Sequence, residues 1–181
     1  MSSTILPLEP KKLKKLSDEE LGAMLHLVKG NTSLPTPAFP HPPAIGRDGN
    51  APMASRLRAI QQYIKSLEYN HTGTSYYKLR RDRGLQHVIL TAKEIVREAL
   101  PIQCVEAVFV ATHLTTGMAD LLRIPISFKS TADGNTYRHI VLAVRYGDKW
   151  GALGISRRDS LMWKDLQFSS LAELIKNFEK S

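Results

Sequence analysis

The sequence predicts an α+β domain, and three observations carry that prediction. Apolar residues recur with a period of about 3.6 through the middle of the chain and with a period of 2 after Ile124. Turn signals, Asp133-Gly134-Asn135 and Gly147-Asp148, punctuate the period-2 region at hairpin spacing. The helical segments come first and the strands follow, which suits a small antiparallel sheet rather than alternating βαβ units. At 181 residues, the length fits one domain with a small appendage: residues 1–52 as appendage and 53–181 as the domain.

Residues 1–16 hold Lys11, Lys12, Lys14 and Lys15 and read as a basic leader. Ser17-Asp18-Glu19-Glu20 is a capping box, with Ser17 at the N-cap and Glu20 at the third helical position. The helix it opens places Leu21, Met24, Leu25 and Val28 on one face and stops near Gly30. Six of the ten prolines fall between Leu34 and Pro52, which reads as an extended linker or a strap laid over the domain. A second amphipathic helix runs from about Pro52 or Met53 to Tyr69, with Leu57, Ile60, Ile64 and Leu67 aligned. A polar turn follows at 69–74, then a basic run of Lys78, Arg80, Arg81 and Arg83.

The third helix, about Leu85 to Leu100, buries Val88, Ile89, Ala92, Ile95, Val96 and Ala99. A fourth begins between Pro101 and Cys104, because proline is tolerated only in or before the first turn, and ends near Gly117. Its residues are apolar on most faces, as in a central buried helix. Ile124–Ser130, Tyr137–Val144 and Trp150–Ser156 then form an antiparallel meander of three strands. A last helix starts after Ser169 or Ser170, with Glu173 closing a second capping box and Leu171, Leu174, Ile175 and Phe178 turned inward.

Composition narrows the function classes. Apolar residues make up 43% and charged residues 23%, ordinary for a globular chain, and no apolar run reaches the ~20 residues that span a bilayer. The N-terminus lacks the basic-then-apolar order of a secretory signal. One cysteine excludes an internal disulfide and suits a cytosolic setting. A net charge of +8 implies acidic partners: nucleic acid, an anionic membrane or an acidic protein segment. No metal-ligand spacing is present, and no cofactor is expected.

The chemistry-bearing candidate is Cys104, whose place at a helix N-terminus is expected to lower its pKa and favour the thiolate. A lone cysteine in an apolar helix is more often a small core residue than a nucleophile, so a base must be found. His26 and His41 lie in the appendage and the proline-rich stretch. His113 is nine residues along the same helix, roughly 13–14 Å away. His87 sits near the start of the preceding helix, and His71 lies in the polar turn. His139 is best placed, in the central strand, where a packed helix fixes its angle. A cysteine on a helix N-terminus facing a histidine on an antiparallel sheet is the arrangement of papain-like and transglutaminase-like acyl transfer. For the third member, which orients the imidazole, the residues offer Ser156 or Asp159.

Five blocks of sequence go further: YNHTGT at 69–74, ALPIQC at 99–104, PISFK at 125–129, RHIVL at 138–142 and GALGISRR at 151–158. Together they closely resemble the vasohibins, transglutaminase-like cysteine peptidases that remove the C-terminal tyrosine from α-tubulin. The resemblance runs from about Leu57 to Phe178. It implies a Cys104–His139–Ser156 triad, and so favours Ser156 over Asp159. It also implies that Arg157 binds the substrate's terminal carboxylate, that Tyr69 contacts the substrate end, and that Arg81 and Arg83 line a groove for the acidic tail. Residues 53–181 would be the catalytic domain. The implied partners are the α-tubulin tail on microtubules and a small helical helper, the small vasohibin-binding protein, docking on the N-terminal helices; the 17–30 helix either receives it or folds back. The implied location is cytoplasmic and cytoskeletal, with no membrane. The sequence departs from the family at Gln103, where members carry a lysine that assists carboxylate capture. A different class of function remains open to the residues alone: a non-catalytic microtubule- or nucleic-acid-binding module using the basic surface, for which no RNA-binding signature is present.

Overall fold

The computed structural model describes residues 17–33, 39–44, 51–80, 83–132 and 135–181. The chain divides into two compact units, Met1–Ala38 and Phe39–Ser181, and the division falls inside the proline-rich stretch. The first unit holds helix α1, Asp18–Gly30. Its capping box forms: the Glu20 N–H donates to Ser17 Oγ at 3.2 Å, and the Ser17 N–H donates to Glu20 Oε2 at 2.8 Å. The side chains of Leu21, Met24, Leu25 and Val28 lie outside the described residues, as does most of the expected linker or strap.

In the second unit, α2 spans Met53–Ser66 and starts directly after Pro52. Leu57, Ile60, Ile64 and Leu67 are all buried, the stripe that the sequence spacing requires. The helix stops three residues before the expected Tyr69, because Glu68 adopts a left-handed φ of 63° that turns the chain away. Helix α3, Leu85–Glu98, ends at Ala99 in the left-handed conformation (φ 50°) ahead of Pro101. Thr91, Ala92 and Ile95 are its buried residues, with Val88, Val96 and Ala99 packed against the core from its margin. Helix α4, Cys104–Thr115, buries nearly every side, with Ala107, Val108, Phe109, Val110 and Ala111 in an unbroken run.

The sheet has four antiparallel strands in the order β1-β2-β3-β4: Leu122–Ala132, Asn135–Tyr146, Lys149–Leu153 and Lys164–Phe168. The sequence pattern anticipates three of them. β4 escapes it because its five residues, KDLQF, are mostly polar and its pairing is bulged: Trp150 faces Phe168, while Ala152 faces Lys164. The sheet is covered on both faces. Leu142, Val144, Leu153 and Ile155 join α2, α3 and α4 in the main core. Val141, Ala143, Ala152 and Phe168 form a second core with Leu174 and Phe178 of α5, Leu171–Glu179. The second capping box is present, with the Glu173 N–H donating to Ser170 Oγ and Glu173 Oε2 accepting from the Ser169 N–H. Leu174 and Phe178 point inward as expected, but Ile175 is 37% exposed, since a helix on one sheet face buries a single stripe. Among the described residues no helix is long and apolar enough to cross a membrane.

The β4 bulge carries a constraint that can be tested. A Cβ at Gly151 would lie 2.6 Å from the Lys164 carbonyl oxygen and 2.9 Å from that of Asp165. Both obstacles are backbone, so neither can swing aside. Gly151→Ala is therefore expected to cost about 1–3 kcal/mol of stability, read as a lower thermal midpoint. An unchanged midpoint would mean that β4 does not press on β3 at this point.

Candidate active site

Four segments meet at the site, the first turn of α4 among them. The first is Glu68–Thr74. Tyr69 forms an isolated parallel bridge with Ile102, two residues before Cys104: the Asn70 N–H donates to the Ile102 carbonyl at 2.8 Å, and the Ile102 N–H to the Glu68 carbonyl at 3.1 Å. Asn70, buried, shapes the turn that follows. Its Oδ1 accepts from the Thr72 N–H and hydroxyl, and its Nδ2 donates to the Thr74 carbonyl at 2.8 Å. Tyr69 meets the His71 ring edge-on, with centroids 5.0 Å apart.

The second segment is the first turn of α4. Gln103 is the N-cap in extended conformation and offers no side-chain cap, so the backbone N–H groups beside Cys104 remain available. Glu106, in that same turn, is 1% exposed. Its Oε1 accepts from Ser75 Oγ at 2.7 Å, and its Oε2 is buried without a partner.

The third is β2, which supplies His139 opposite Phe128 of β1. The two rings meet edge-on at 5.2 Å, and Phe128 rests on Phe178 of α5 at 5.5 Å. Nε2 of His139 lies 2.8 Å from the Leu161 carbonyl oxygen. A carbonyl only accepts, so Nε2 carries the proton and Nδ1 is the ring's basic nitrogen. The fourth segment, residues 154–163, joins β3 to β4. It carries Ser156, Arg157 and, in a short 3-10 turn at Asp159–Leu161, the carbonyl that holds His139.

These segments enclose a cavity of about 930 Å³ lined by Tyr69, Cys104, His139, Ser156 and Arg157 among others. A second cavity of similar size lies against Gln103, Val108, Phe109 and Pro125, and Cys104 and His139 line both. Burial is the dominant electrostatic influence on the two reactive groups. It pushes the Cys104 thiol above its ordinary value, with the Glu106 carboxylate adding in the same direction; the backbone N–H groups of Ile140, Cys104 and Val105 oppose it only in part. This corrects the sequence-based expectation of a lowered thiol pKa, in which helix-terminal N–H groups were weighed without desolvation. Burial also pushes His139 below its ordinary value, against the raising effect of the Leu161 carbonyl. Tyr69 is raised by burial, while the neighbouring Arg157 charge draws it down.

The structure therefore brings together five of the seven residues singled out from the sequence. Arg83 is exposed and lines neither cavity, and Arg81 lies outside the described residues. Ser156 is in the cavity but in a loop, since β3 ends at Leu153. Its Oγ accepts from the Arg158 N–H at 3.2 Å, and the hydrogen bond at His139 Nε2 is to the Leu161 carbonyl. Sequence reasoning missed the Leu161 carbonyl because a main-chain oxygen leaves no residue signature. It also missed Lys129 and Arg138, which face each other across β1 and β2 and line both cavities. The register that sets Ala132 opposite Asn135 also sets these two opposite each other. Like charges directly opposite are unfavourable in a sheet, so an anion between them would relieve a repulsion. Among the described residues no group of three His, Cys, Asp or Glu side chains is arranged to hold a metal ion.

Burial thus favours the neutral form of both groups, which makes an uncharged resting pair the expectation. Alkylation of Cys104 by iodoacetamide should be slow at pH 6 and accelerate as the pH passes above the ordinary thiol range. A rate already on its plateau at pH 6 would mean a preformed thiolate–imidazolium pair.

Residues 12–181 match the family model described as Vasohibin. Over 152 residues the chain is 45% identical to Tubulinyl-Tyr carboxypeptidase 1 of Mus musculus, an alignment covering 84% of this chain and 40% of that protein. The chain thus spans about two-fifths of the length of that relative. With a family match across nearly its whole length, this chain belongs to the vasohibin family.

Proposed function

We propose that this protein is a cysteine carboxypeptidase with a transglutaminase-like catalytic domain, and that it removes the C-terminal tyrosine from α-tubulin. The observation that carries the reading is the convergence of Cys104, His139, Tyr69 and Arg157 on one cavity, in a chain 45% identical to a protein named for that reaction. In this mechanism Nδ1 of His139 takes the Sγ proton as sulfur attacks the carbonyl carbon of the last peptide bond. Backbone N–H groups at the start of α4 stabilise the oxyanion. The imidazolium then protonates the departing tyrosine amine. Water, activated by the same imidazole, hydrolyses the thioester and frees the thiol.

The Leu161 carbonyl is given the orienting role, supported by its 2.8 Å bond to Nε2. Ser156 is given a place on the cavity wall, where its hydroxyl steadies the Arg157 loop through the Arg158 N–H. Arg157 holds the terminal carboxylate with paired hydrogen bonds. Lys129 and Arg138 attract the acidic residues upstream, in keeping with the net charge of +8.

Incubating the protein with a tail peptide ending in Glu-Glu-Tyr, with and without the small vasohibin-binding protein, and weighing the product tests this directly. Loss of one tyrosine mass is expected, and Cys104→Ala and His139→Ala should abolish it. Ser156→Ala should keep kcat within about tenfold of the parent; a loss of a thousandfold or more would return the orienting role to Ser156. Arg157→Ala should raise KM with a smaller effect on kcat. A peptide left whole under both conditions sinks the proposal.

A further inference from the structure

The segment 154–163 carries the Ser156 hydroxyl, the Arg157 guanidinium and the Leu161 carbonyl, so its placement sets much of the site. Its far end is fixed by the 3-10 turn and by β4. Its near end is held by a side chain from another element. Gln61 of α2, 7% exposed, donates from Nε2 to the Gly154 carbonyl at 2.9 Å and accepts at Oε1 from the Gly154 N–H at 3.1 Å. A carboxamide presents a donor and an acceptor side by side, and so can satisfy both polar groups of one residue. The pairing continues the ladder one residue beyond Leu153, where β3 ends and a neighbouring strand would otherwise be needed. Gly154 itself has little room: a Cβ there would lie 3.2 Å from Val141 Cγ1 and 3.4 Å from the Met162 carbonyl oxygen.

We propose that Gln61 is a positioning residue for substrate binding, holding the start of the 154–163 segment so that Arg157 meets the carboxylate of the peptide's last residue. The proposal rests on the carboxypeptidase reading above. The plainer role for Gln61 is to satisfy a buried peptide group and stabilise the fold, and the layout of the segment separates the two. Arg157 lies three residues from the clamp. Cys104 and His139 are placed by α4 and β2, and the Leu161 carbonyl lies beside the opposite anchor. Losing the clamp therefore displaces the carboxylate-binding group more than the reacting groups.

Gln61→Met keeps the side-chain length and leaves both Gly154 groups without partners. With the Glu-Glu-Tyr tail peptide, KM should rise by about tenfold or more while kcat stays within about threefold, and alkylation of Cys104 should proceed at the parental rate. In an Arg157→Ala background the same substitution should leave KM unchanged, because the group it positions is already gone. Gln61→Glu, which retains the acceptor for the Gly154 N–H and loses the donor, should raise KM in the same direction. A KM within about twofold of the parent, or the full rise recurring in the Arg157→Ala background, overturns the proposal. So does failure of both variants to fold, which would assign Gln61 to the fold alone. A parent protein that leaves the peptide whole is a separate outcome, and it removes the carboxypeptidase reading and this proposal together.

Discussion

Enclosure of α4 governs the rest of the domain. A helix apolar on nearly every face must be surrounded, and α2, α3 and the sheet do so. Because enclosure extends into the first turn, the helix brings its unpaired N–H groups and its only thiol to the edge of the core, with Cys104 half-buried. Polar groups there must find partners, and the segments that cross the helix start supply them. Tyr69 pairs with Ile102 just upstream, and the Ile140 N–H draws the raised thiol pKa down in part. The same burial explains why the thiol is held protonated. Desolvation outweighs the N–H groups that make a helix N-terminus attractive to an anion.

The segments that complete the cavity are mostly irregular, yet they are held firmly. Two buried carboxamides do much of the holding by bonding backbone rather than one another. Asn70 closes the 69–74 turn, and Gln61 continues β3 past its end. Asn70 shapes a turn whose residues 71–74 are exposed, whereas Gln61 satisfies the buried peptide groups of Gly154, which unpaired would cost about 1–3 kcal/mol each. Glu106 is the exception, since one of its oxygens has a Ser75 partner and the other has none. That carboxylate adds negative charge to the surroundings of both Cys104 and Tyr69.

Much of the fold was legible because the relevant signals are local. The Ser17–Glu20 and Ser170–Glu173 capping pairs, the α2 stripe and the two hairpins are each written within a few residues. β4 was not, since a bulged strand of five mostly polar residues has no period to read. In the site, Cys104 and His139 announced themselves by residue type and position. The placement of Ser156 depended on where β3 ends, at Leu153, a tertiary matter with no local signal in the sequence. The thiol's pKa was misjudged because a linear sequence displays the helix terminus but not how deeply it is sunk.

The partner of His139 is a peptide oxygen, and that changes what heredity can act on at this point of the molecule. No codon specifies a carbonyl, so no single replacement at position 161 deletes it; only the path of the chain can move it. Side-chain identity there answers to the 3-10 turn and to packing against the second core, while the atom facing the imidazole stays the same. A survey that truncates side chains one by one would pass over it in silence. The contact is thus inherited as a shape of the main chain, with its upkeep distributed over the residues that hold the turn between β3 and β4.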